Sequence, residues 1–63
     1  MGGPTIEEQA TEAVRRIREY EREYNRKASY DDIKLAVRIV GAELGGLYER
    51  KVFRRTIDIL VGR

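Results

Sequence analysis

Between Ile6 and Tyr24 the apolar residues recur at spacings of three and four: Ile6, Ala10, Ala13 with Val14, Ile17, Tyr20 and Tyr24. That period matches the turn of an α-helix; in a β-strand alternate residues would share a face. Thr5-Ile6-Glu7-Glu8 introduces the run as a capping box. The Thr5 hydroxyl accepts a backbone N–H and Glu8 reaches back to the start of the helix. Glu12 with Arg16, and Glu23 with Lys27, are ordered for i,i+4 ion pairs. These signals predict a helix over about residues 6–25. Tyr20 and Tyr24 are expected at the edge of the core, each with a buried ring and a wet hydroxyl.

Asn25-Arg26-Lys27-Ala28 connects this helix to a second capping signal, Ser29-Tyr30-Asp31-Asp32, whose carboxylates suit the positive first turn of a helix. Adjacent carboxylates on a helix diverge, so capping is favoured over a metal site for Asp31 and Asp32. The helix that follows, residues 30–44, is apolar on two sides: Ile33, Ala36, Val37, Val40 and Leu44 on one, and Leu35, Ile39 and Ala42 on another. Such an element sits between neighbours, or presents its second stripe as the seam of a homodimer. Gly45-Gly46 then breaks the chain. A third helix over residues 48–61 carries Val52, Phe53, Thr56, Ile57, Ile59, Leu60 and Val61 on one arc. Arg50, Lys51, Arg54, Arg55 and Asp58 occupy the other. Gly62 and Arg63 suit its C-terminal end.

The architecture expected is therefore all-α, a compact three-helix bundle forming one domain over residues 1–63, with residues 1–4 a flexible start. The alternative is an α+β fold with a C-terminal hairpin about Gly45-Gly46, because Ile33, Leu35, Val37 and Ile39 also alternate. Pairing Leu44 with Leu47 in such a hairpin sets Val40 opposite Lys51 and Val37 opposite Arg54, so neither face is uniformly apolar, whereas the helical wheels are clean.

A chain of 63 residues buries only about 60% of the surface it exposes unfolded. With no cysteine and no histidine, neither a disulfide nor a zinc site is expected to reinforce that thin core. The same absence removes the usual nucleophile–base pairs, and the glycines match no phosphate-cradling loop, so the chain reads as non-enzymatic and without a cofactor. No run is apolar enough to span a membrane, and a cytoplasmic location is the expectation. Residues 1–32 hold six basic and eight acidic side chains, a net of −2. Residues 33–63 hold seven and three, a net of +4. Such asymmetry suits an acidic partner, although charge also serves solubility.

The segment Val40–Arg55 resembles the helix-turn-helix family of DNA-binding domains. Gly41 occupies that family's small position in the first helix, Leu44-Gly45 its closing pair, Leu47 the apolar residue after the turn and Val52 the anchor of the second helix. The resemblance implies that the third helix is a recognition helix, with Arg50, Lys51, Arg54 and Arg55 facing double-stranded DNA. Two departures are visible: Gly46 lengthens the turn by a residue, and Arg55 stands where a further apolar anchor is usual. Ile33, Val37, Val40, Gly41, Glu43 and Leu44 also resemble the groove-plugging helix of pro-apoptotic proteins, with Ala42 where that family carries an aspartate. The third reading is an engineered or structural bundle with no ligand, suggested by the doubled capping signals and the absence of Cys, His and Trp.

Overall fold

The structure is a computed structural model and describes residues 3–63. Three helices, α1 (Ile6–Tyr24), α2 (Tyr30–Leu44) and α3 (Glu49–Leu60), pack so that each touches the other two. There is no strand among the described residues. Of the flexible start expected at residues 1–4, Met1 and Gly2 lie outside the described residues. Pro4 is half-buried.

Both capping boxes form. The Glu8 N–H donates to Thr5 Oγ1 at 3.0 Å and the Thr5 N–H to Glu8 Oε1 at 2.8 Å. Asp32 and Ser29 exchange the equivalent bonds at 3.2 and 2.9 Å, so capping is the role Asp32 takes. All three helices end alike, on a residue with positive φ: Asn25 at 52°, Gly45 at 70° and Gly62 at 83°. The N–H that follows each reaches back to a carbonyl five residues earlier, Arg26 to Glu21, Gly46 to Gly41 and Arg63 to Asp58. This is the bond that closes a Schellman motif and satisfies an orphan carbonyl.

These ends correct several expectations. The left-handed Asn25 stops α1 at Tyr24, so Lys27 lies beyond the helix and makes no ion pair with Glu23 among the described residues. Its partner prediction holds: Arg16 Nε donates to Glu12 Oε2 at 2.8 Å. Tyr20 is half-buried, but Tyr24 is exposed, its ring stacked at a tilt on Tyr20 with centroids 4.9 Å apart. At α3, Tyr48 is left-handed (φ 64°) and Val61 leaves the helical region, so the helix covers 49–60 rather than 48–61.

Ala10, Ala13, Val37, Val40 and Val52 form the centre of the core, with Ile6, Phe53 and Ile59 packed around it. The small Ala10 and Ala13 let α1 approach its neighbours closely. The first stripe of α2 faces this core at Val37 and Val40, whereas Leu35, Ile39 and Ala42 are exposed. Thr56 is fully buried on α3; its hydroxyl donates to the Val52 carbonyl at 2.7 Å, so this buried donor is paired.

The largest fully buried side chain is polar. Gln9 is 2% exposed, and its Nε2 donates to the Leu47 carbonyl at 3.3 Å and the Pro4 carbonyl at 3.4 Å. It lies against Gly46: a Cβ built there would be 2.1 Å from Gln9 Oε1 and 2.2 Å from its Cδ. Gly46 is thus required for space and not for a positive φ. Gly46→Ala is expected to lower stability by about 1–3 kcal/mol, the usual scale of overpacking. Adding Gln9→Ala should remove most of that loss, so urea unfolding of the two single variants and the double variant should show strong coupling. Simple additivity would contradict the account.

Ion pairs tie the helices together from outside. Arg16 links Glu12 on its own helix to Glu43 on α2, and Arg55 on α3 reaches Glu7 on α1. Hydrogen bonds from Arg15 and then Arg16 pull the Glu12 carboxyl down from 4.5 to about 2. Arg16 lowers Glu43, Arg55 lowers Glu7, and the Thr5 cap lowers Glu8. A carboxyl depressed in the folded state stabilises fully above its unfolded value and loses that contribution as pH falls through the folded one. Thermal midpoints are therefore expected to be level from neutral pH down to about 5. They should then fall progressively as pH drops from 4.5 towards 2, where Glu12 titrates. A midpoint unchanged at the acid end would mean that these pairs form equally in the unfolded chain.

Candidate nucleic-acid interface

A groove lies between the N-terminal half of α2 and α3. Its volume is about 880 Å³. Tyr30 and Phe53 form an aromatic wall, with centroids 5.1 Å apart and ring planes at 71°. Lys34 from α2, Arg50, Lys51 and Arg54 from α3, and Arg63 supply positive charge; Glu49 and Asp58 are the acidic residues of the lining. Glu49 also leans away towards Arg38, at 3.9 Å.

The cations arise from helical spacing. Arg50 and Arg54 are one turn apart on α3 and project on the same side. Lys34 follows Tyr30 by one turn on α2, which brings both to the facing wall. Among the described residues, Lys34, Arg50 and Arg54 have no ion-pair partner, and the Lys51 ammonium sits 5.6 Å from the centroid of the Tyr48 ring.

Three of the four basic residues expected to face a partner, Arg50, Lys51 and Arg54, therefore line one groove. Arg55 does not. It lies about 100° round the helix from Arg54, on the border nearest α1, and is engaged by Glu7 through two bonds of 2.8 and 3.1 Å. Its guanidinium braces the bundle. Lys34, Tyr30 and Phe53 were not legible as site residues: Tyr30 reads as part of a capping segment and Phe53 as core. The one usable sequence signal was the i,i+4 spacing of Tyr30 and Lys34.

The start of α3 differs electrostatically from those of α1 and α2. The latter carry capping boxes and acidic first turns. At α3 the N-cap is Tyr48, which provides no side-chain hydrogen bond, and Glu49, the acidic residue of the first turn, is followed by the cations Arg50 and Lys51. Glu49 suits this positive end of the helix dipole, whereas Arg50 and Lys51 do not. Tyr48 is itself strained, because a bulky residue at positive φ is uncommon.

Of the residues that carry the helix-turn-helix resemblance, Val52 is buried, Gly45 closes α2 in the left-handed region, and Leu47 is 69% exposed. Of those that carry the groove-plugging resemblance, Val37 and Val40 are buried in the core, so that face is occupied within the chain and would be offered only if the bundle opened. No helix among the described residues is long and apolar enough to cross a membrane. No protein-family model, curated protein or solved structure gives a significant match to the chain.

Proposed function

We propose that this domain binds nucleic acid, taking phosphate groups in the groove between α2 and α3. The observation that supports the reading is a cluster of cations. Lys34, Arg50, Lys51 and Arg54 line one groove, which also holds Glu49 and Asp58, and make no ion pair among the described residues, while Arg15, Arg16 and Arg55 are engaged by carboxylates. Like charges collected on one wall repel one another and raise the local concentration of anions. The uncapped start of α3 adds backbone N–H groups and the positive end of its dipole to the same region.

The reading is tested by titrating labelled oligonucleotides at several salt concentrations. With four phosphate contacts, the slope of log affinity against log salt should be about −3 to −4. Arg50→Gln and Arg54→Gln should each make it shallower by about 1. Arg55→Gln should leave the slope unchanged, since Arg55 is held by Glu7. Absence of binding to any oligonucleotide at low salt would leave the domain a bundle with no such ligand.

A second reading is favoured by the exposed stripe of α2, where Leu35 is 54% and Ile39 42% exposed. With Ala42 they form a seam on which the same helix of a second copy can pack. Sedimentation should then show a dimer, and Leu35→Lys with Ile39→Lys should return it to a monomer of unchanged helicity. A wild-type monomer at high protein concentration would exclude this seam.

A further inference from the structure

We infer that the groove prefers unpaired strands to duplex, with Tyr30 as the platform on which a base stacks. The inference rests on the nucleic-acid reading and specifies its ligand. Tyr30 is 63% exposed, so its ring is available to a partner. It is also held in place: it opens α2 inside a formed capping box and packs edge-on against the half-buried Phe53. A fixed, exposed aromatic ring loses little freedom when a partner is laid on it. Lys34 stands one turn along α2, and Arg50 and Arg54 lie across the groove, so phosphates on either side of a stacked base would meet cations.

The chemistry of the ring chooses between strand types. In a duplex, base faces are stacked on one another and only edges and backbone are presented. An exposed ring face has no partner there. In a single strand each base can turn its face outward, and aromatic rings interleaved with cations are how such strands are held without sequence preference. Tyr48 extends the pattern. It is equally exposed and carries Lys51, a residue of the groove lining, beside its ring.

The test compares single strands of about 12 nucleotides, within the usual site size of such proteins, with duplexes of the same sequence and with inorganic polyphosphate. The strand should bind tighter than the duplex. Tyr30→Leu, which keeps an apolar contact for Phe53, should weaken strand binding about 10-fold, the scale of one lost stacking contact. It should leave polyphosphate binding unchanged. Tyr30→Phe should retain wild-type strand affinity, because the ring and not the hydroxyl makes the contact. Circular dichroism of each variant reports whether the helices persist. Duplex binding equal to or tighter than strand binding would overturn the inference while leaving the groove reading intact. So would a Tyr30→Phe loss as large as that of Tyr30→Leu, or a Tyr30→Leu loss shared by polyphosphate. If no oligonucleotide binds at low salt, the groove reading fails and this inference fails with it.

Discussion

The amide of Gln9 holds the corner between α2 and α3 against α1. That corner has little else to fix it. Gly45 is left-handed, Tyr48 is left-handed, and α3 begins without a side-chain cap. A turn of this kind needs an anchor from outside, and Gln9 Nε2 provides one by donating to the Leu47 carbonyl while also taking the Pro4 carbonyl. A buried amide without partners would cost roughly 1–3 kcal/mol, so the bond and the burial require each other. Gly46 leaves the space in which the Gln9 side chain lies. The direction in which α3 leaves the corner decides which of its arginines face α1 and which face the groove.

That direction converts an asymmetry along the chain into an asymmetry between faces. Acidic residues of α1 engage some of the basic groups near them. Glu7 takes Arg55, and Glu12 shares Arg16 with Glu43. On the far side, the lining offers only Glu49 and Asp58 against five cations. Five of the seven basic residues in the second half of the chain therefore line a single groove. Exposed ion pairs of the first kind add little each; their larger effect is to leave Arg50, Lys51 and Arg54 as the free cations of α3.

What was legible in the sequence was local, and what was missed depended on tertiary placement. Thr5 with Glu8 and Ser29 with Asp32 announced two helix starts because capping is decided within four residues. The stripes that reach Ala10, Ala13, Val37, Val40 and Val52 were visible because burial follows the helical period. Gln9 shares a face with Ile6 and Ala13, so its position was on the stripe while its chemistry argued for the surface; only the carbonyls of Leu47 and Pro4, brought in by folding, make it a core residue. Gly46 read as a chain breaker, yet its φ is not positive and its role is to leave room. Arg54 and Arg55 are neighbours of one type, and nothing short of the packing of α3 on α1 distinguishes the groove residue from the brace.

The unfavourable features of the molecule are concentrated at one end of α3. A tyrosine at positive φ, a helix start without a side-chain cap and two cations in the first turn lie within four consecutive residues, Tyr48 to Lys51. Elsewhere the chain follows local rules: two capping boxes, three left-handed helix ends with their closing bonds, and no buried side-chain nitrogen or oxygen left unpaired among the described residues. Sequences consistent at most levels tend to break local rules where a function imposes another demand. A phosphate placed at the start of α3 would answer two of these features at once: it would accept from the free backbone N–H groups and pair with Arg50 and Lys51. The left-handed turn at Tyr48 is the remaining one. It leaves the Tyr48 ring exposed beside Lys51, within reach of the strand proposed for the groove.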